Sequence, residues 1–326
     1  MCPPLPPLPT LAELDAAAAI VYRAMPPTPQ FSWPLLNQAL GAELWVKHEN
    51  HTPTGAFKVR GGLVYLDALA RRLPQTRGIV SATRGNHGQS LAFAAARHGI
   101  GATIVVPTGN SVEKNAAMRA LGAEVIEHGA DFQASREHAH TLAARDGLHM
   151  VPSFDRDLMA GVASAWCELF RARPDLDLVL APIGQGSCIG GAIAARQALG
   201  LRTRIVGVVS AHAPAYQRSF EAGHAIEAAA STALADGVAC RVPDPASLAL
   251  ILEHVDQVIA VTDAEVAQAM RLYYRATHNL AEGAGALALA GAMQLRLGGA
   301  RDARIGLPLT GANIDAALLR GVLAAD

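Results

Sequence analysis

Gly78-Ile79-Val80-Ser81-Ala82-Thr83-Arg84-Gly85-Asn86-His87-Gly88-Gln89 starts as a strand and ends inside a helix. The short β-branched run from Gly78 to Ser81 predicts the strand, and residues 88–98 the helix. Toward the C-terminus the alternation repeats. Residues 102–106 read as a strand stopped by Pro107; Ser111 caps a helix through Leu121, which Gly122 ends; 123–126 read as a strand, 132–145 as a helix and 149–151 as a short strand. Strand–helix alternation with short links is the signature of a parallel, helix-covered sheet. A second run follows, with strands at 176–181 and 204–209 around a helix at 189–199, helices at 264–277 and 284–297, and a strand at 304–309. Toward the N-terminus, Thr10 and Glu13 form a capping box opening a helix through 16–25, which breaks at Pro26-Pro27-Thr28-Pro29. A strand at 43–47 and a helix from Lys58, with Leu63, Leu66 and Leu69 at helical spacing, complete the pattern. The fold class expected is α/β, with two open parallel-sheet domains and helices on both faces.

With 326 residues the chain is long enough for two cores at roughly 100–200 residues per domain. Its 27 Lys and Arg against 28 Asp and Glu give no reason to expect nucleic acid or an acidic membrane as partner. No apolar run reaches the roughly 18–20 residues of a membrane span. Met1-Cys2-Pro3-Pro4-Leu5-Pro6-Pro7 lacks the basic start and apolar stretch of a signal peptide and reads as an extended tail. Cys2, Cys167, Cys188 and Cys240 are scattered without metal-type spacing, which predicts reduced thiols and a cytoplasmic setting.

Four stretches carry candidate chemistry. In Pro53-Thr54-Gly55-Ala56-Phe57-Lys58 a stiff turn precedes a lysine flanked by apolar residues, an environment that favours the neutral amine needed for Schiff-base chemistry; against this stands the ordinary surface lysine. Gly184-Gln185-Gly186-Ser187-Cys188 joins a strand to a helix and offers backbone N–H groups to an anion. A dinucleotide would want an acidic residue about 20 positions later, where Ser210 stands, so a lone phosphate fits better than NAD. Ser81, Thr83, Arg84, Gly85 and His87 surround a strand end able to bind a substrate carboxylate, although a histidine at a helix start is more often a structural hydrogen-bonder. Thr310 lies at another strand end, where ligands collect in open α/β sheets.

Together, in this order, these motifs resemble the threonine/serine dehydratases of the pyridoxal-phosphate (PLP) fold type II group, with its tryptophan synthase β-like fold, from Thr28-Pro29 to Asn313. The resemblance implies PLP as cofactor and Lys58 as the Schiff-base lysine and catalytic base, with Phe57 beside it. It puts Asn86 on the pyridoxal 3-hydroxyl, Gly184, Gln185, Gly186, Ser187 and Cys188 around the phosphate, Gly237 and Glu282 beside the ring and Thr310 on the ring nitrogen. It implies a large PLP-binding domain of residues 1–77 and 154–326, a small substrate domain of 78–153, and a homodimer. The activity implied is α,β-elimination from a β-hydroxy-α-amino acid, such as L-threonine, L-serine or a bulkier L-threo-phenylserine, to a 2-oxo acid and ammonia. Alternatives are a 3-hydroxyaspartate dehydratase, a β-replacing enzyme of the same fold, or a catalytically silent PLP-binding protein.

Three departures narrow this reading. Related serine racemases use a serine as second base where Arg84 stands, and a guanidinium cannot serve as that base, so racemisation is not expected. Ser210 replaces the glutamate of the metal-binding members, so no metal is expected. The C-terminal regulatory domain of the biosynthetic enzymes is also expected to be absent.

Overall fold

The computed structural model describes residues 7–295 and 303–325. The expected N-terminal tail through Pro6, and Arg296 and Leu297 of the 284–297 helix, lie outside the described residues. The chain begins α1 (Leu11–Tyr22), β1 (Gln30–Ser32), α2 (Pro34–Leu40), β2 (Glu43–His48) and α3 (Lys58–Arg72). It continues β3 (Gly78–Ala82), α4 (Asn86–Ala96), β4 (Gly101–Val106), α5 (Val112–Ala120), β5 (Glu124–Glu127), α6 (Phe132–Asp146), β6 (His149–Met150) and α7 (Arg156–Ala172). Then come β7 (Leu178–Pro182), α8 (Ser187–Ala198), β8 (Arg204–Ser210), α9 (Ala215–Ala222), α10 (Pro245–His254), β9 (Gln257–Val261), α11 (Asp263–Thr277), α12 (Gly283–Gln294), β10 (Arg304–Leu309) and α13 (Ala316–Ala324).

Two sheets form. One has six strands in the order β1-β2-β10-β7-β8-β9, and the other four in the order β5-β4-β3-β6. Every pairing is parallel except that of β1 with β2. Strands buried on both faces read as unbroken apolar runs rather than alternations, as in Gly78–Ala82 and Leu178–Pro182. One apolar core joins the two sheets: Ile79 and Ile104 of the small sheet share it with Val179, Ala181 and Ile205 of the large one, through α3, α4, α7 and α8. A second core lies between the opposite face of the large sheet and α11 and α12, and a third between the small sheet and α6. Helices therefore cover both faces of both sheets, as expected. Among the described residues no helix is long and apolar enough to cross a membrane.

Several boundaries differ from the sequence reading. The capping box at Thr10 forms, but it starts α1 directly behind itself, so the helix occupies Leu11–Tyr22 rather than 16–25. Gly85 serves as the N-cap of α4 with φ of 149°, and the helix begins at Asn86 instead of Gly88. The sequence reading passed over β1, α2, α7, α9, α10 and β9.

Candidate active site

A cavity of about 880 Å³, mouth included, opens where Ala82 ends β3, Pro182 ends β7 and Thr310 follows β10. Strand carboxyl ends of two sheets thus converge on one space.

Lys58 enters it as the first residue of α3. Its loop is held by Thr52, whose Oγ1 accepts from Ala56 N at 2.9 Å, and by Phe57 N donating to the Thr310 carbonyl at 2.9 Å. Ala312 N donates back to the Gly55 carbonyl at 3.0 Å, so the lysine loop and the Thr310 turn are zipped together. Lys58 Nζ lies 4.8 Å from the centre of the Phe57 ring and donates to Ser187 Oγ at 3.0 Å. Burial pushes its pKa down from 10.5 to about 8.

Ser187 opens α8. Its N-cap, Gly186, has φ of +104° and no side chain to accept from the first-turn N–H groups, which are left open to an anion. A Cβ on Gly186 would lie 2.0 Å from Ser247 Oγ, so this cradle tolerates only glycine. Gln185 turns its amide to Cys240 Sγ at 3.1 Å, and Cys188 is buried close to Lys58, with burial pushing its thiol up to about 12. Gly237 lines the cavity within a short 3-10 turn, Asp236–Val238. Thr310 is buried and donates its hydroxyl to the Ala284 carbonyl at 3.3 Å.

A polar chain crosses the site. Asn313 Nδ2 donates to the Thr54 carbonyl at 2.8 Å and to Asn86 Oδ1 at 2.9 Å, and Asn86 Nδ2 donates to Glu282. Glu282 in turn pairs at 2.9 Å with Lys114, which also meets Asp236 at 2.8 Å. Burial opposes the Lys114 charge, but the two carboxylates override it and hold its pKa above the ordinary lysine value. Burial raises the Glu282 carboxyl, with Lys114 pulling against it.

The 81–87 segment divides. Thr83, Arg84, Gly85, Asn86 and His87 all line the cavity, and Thr83 Oγ1 accepts from Gly85 N at 3.0 Å. Ser81 does not belong with them. Its hydroxyl donates to the Val151 carbonyl at 2.9 Å, because alternation along β3 points it away from the cavity, so a substrate contact for Ser81 is corrected. His87 Nε2 donates to the Pro152 carbonyl at 3.1 Å; burial, then Lys58, drives its pKa down to about 3, and it is a neutral structural hydrogen-bonder. Ser210 sits at the end of β8 with Oγ accepting from His212 N at 3.1 Å. Among the described residues no group of three or more His, Cys, Asp or Glu stands where it could hold a metal ion.

Sequence reasoning missed Lys114, Asp236 as an ion-pair partner, Phe132 and Cys240, all in the cavity wall. One signal was available for Lys114. It lies in the first turn of α5, where the helix dipole disfavours a cation, so a buried counter-charge was called for.

A family profile described as pyridoxal-phosphate dependent enzyme matches residues 21–311. An L-threonine ammonia-lyase from Thermotoga maritima is 31% identical over 290 residues, 89% of this chain and 72% of that protein. An L-threo-3-hydroxyaspartate ammonia-lyase from a Pseudomonas species is 32% identical over 301 residues, covering 90% of this chain and 93% of that one. The solved structure of the processed form of threonine deaminase isoform 2 from Solanum lycopersicum superposes with a TM-score of 0.88 at 29% identity, over 98% of this chain and 96% of that one.

Proposed function

This chain belongs to the pyridoxal-phosphate dependent enzyme family, and from that premise we propose that it is a lyase converting a β-hydroxy-α-amino acid to a 2-oxo acid and ammonia. The observation that carries the reading is Lys58. Its amine has a lowered pKa, lies in the cavity, and touches the first residue of a helix whose N-terminus is open to an anion. These residues fit the cofactor. The α8 N-terminus with Gly184, Gln185, Gly186, Ser187 and Cys188 would hold its phosphate, Lys58 its carbonyl carbon, Asn86 its hydroxyl and Thr310 its ring nitrogen, with Phe57, Gly237 and Glu282 alongside. When bound, pyridoxal phosphate supplies the electron sink that makes the substrate Cα acidic.

The chain's own groups do the rest. Lys58 takes the Cα proton as a neutral amine and, once protonated, can hand a proton to the departing β-hydroxyl. The Ser187 hydroxyl holds Nζ in place, and Thr310 presents an uncharged hydroxyl where a carboxylate would favour other PLP chemistry. His87, neutral and committed to Pro152, shapes the pocket rather than moving a proton. Thr83, Arg84 and Gly85 face the substrate. Residues 78–153, which contain every strand of the four-stranded sheet, are read as the substrate domain, with 1–77 and 154–326 as the cofactor domain. A cytoplasmic homodimer is the setting proposed; exposed Phe31 and Leu35, and Tyr274 and Leu280 around the end of the neighbouring α11, support a self-association surface.

The test is 2-oxo acid release from a panel of L-serine, L-threonine, L-threo-phenylserine and L-threo-3-hydroxyaspartate. At least one is expected to react, and Lys58→Ala to abolish both turnover and the visible absorbance of the lysine-bound cofactor. Turnover surviving in Lys58→Ala would remove the reading.

A further inference from the structure

Three cations line the cavity: Lys58, Lys114 and Arg84. Lys58 is committed to the cofactor on the reading above, and Lys114 to Asp236 and Glu282, the cavity's two carboxylates. Arg84 alone has no use for its charge. Among the described residues it makes no ion pair and no side-chain hydrogen bond, and its Nε is buried without a partner. Only Nε is closed off from water, the residue as a whole being partly exposed, so the terminal nitrogens of an unpaired guanidinium remain free in the cavity wall as a planar fork suited to a carboxylate. The substrate's α-carboxylate has another receptor at hand. The first turn of α4, beginning at Asn86 behind an N-cap with no capping side chain, leaves backbone N–H groups open beside the same cavity.

We infer that Arg84 sets the substrate's side chain, and that it selects one carrying a second anionic group, a carboxylate beyond the β-hydroxyl. This rests on the lyase reading and narrows its substrate class. The two carboxylates of such a substrate divide between neutral N–H donors and the fork of Arg84. Serine and threonine leave the fork unpaired.

The experiment uses the holoenzyme, wild type, Arg84→Gln and Arg84→Lys, with L-threo-3-hydroxyaspartate and its amide isostere 3-hydroxyasparagine. The wild type is expected to favour the acid in kcat/KM. Arg84→Gln should lower the acid-to-amide ratio by roughly 10-fold or more, the scale expected on losing one partner of a partly screened charge pair, and Arg84→Lys should restore part of it. A fall shared equally by both substrates would place Arg84 on the α-carboxylate and overturn the inference, as would a wild type indifferent to the amide. Titration of the cofactor absorbance with L-aspartate and L-asparagine, which have no β-hydroxyl to eliminate, repeats the comparison without turnover. If no β-hydroxy amino acid reacts, the lyase reading fails, yet tighter aspartate binding that depends on Arg84 still supports the assignment. Equal binding of the two refutes it.

Discussion

Lys58 works as a base only while neutral, and its lowered pKa decides when that is. With a value of about 8, against 10.5 for a free lysine, the neutral fraction grows steeply across the range where a solvated lysine would stay charged. Because Lys58 is a free amine only once substrate has displaced it from the cofactor, the rising limb of kcat against pH is expected near pH 8. A limb displaced to about 10 would mean that the pocket does not desolvate the amine. The same shift has a consequence for the protein without cofactor. A folded-state pKa below the unfolded one means that the unfolded chain binds more protons between these values, so stability rises with pH across that window. Below pH 8 the buried cation is a cost, and apo Lys58→Met is expected to unfold at higher denaturant than apo wild type, the gap closing as pH approaches 10. An undiminished gap at high pH would assign it to packing instead.

At the scale of elements, α5 shows what one side chain can fasten. Its Lys114 reaches Asp236 and Glu282, and its N-cap Ser111 bonds Asp315 just ahead of α13. The small sheet's helix is thereby tied to loops of the large sheet. Removing one partner of a buried pair leaves the other charge stranded, so Lys114→Met is expected to cost about 3–5 kcal/mol in urea unfolding. Adding Glu282→Gln should recover more than half of this, and strictly additive losses would show the two groups to be uncoupled. The elements also show what could be read in advance. Strand ends followed by glycine or hydroxyl residues marked Lys58, Asn86, Ser187 and Thr310 as site residues, and all four line the cavity. The signal for α7 was present and passed over: Asp157, Ser164, Glu168 and Arg171 recur on one face at helical spacing and Asp155 caps the helix, around a run, Leu158–Cys167, that is buried between α1, α3 and α8. Ser81 was misplaced because a motif is read as a string, whereas a strand sends alternate residues to opposite sides. Nothing local in Lys114 names its partners, which lie more than a hundred positions away.

For the whole molecule, alternation was enough to give the class of fold, but not the order of its strands. That β10 inserts between β2 and β7 is decided by long-range packing, since Ile305 pairs with both Leu44 and Leu178. Self-association also belongs to this scale. Sedimentation of the wild type should give twice the monomer mass, and charge placed at Leu35 and Tyr274 should halve it; a dimer unaffected by that pair of changes would locate the contact elsewhere. The central place of β10 bears on how the chain is made. A ribosome delivers β2 and β7 long before the strand that separates them, so each waits with an open edge, the kind of surface on which unfinished chains pair wrongly. Only when Arg304–Leu309 emerges does that slot fill, and with it come Thr310 and the carbonyl that fixes Phe57 beside the lysine. The cofactor pocket is thus completed only once the tenth strand is in place, and uptake of the cofactor reports that synthesis has passed it.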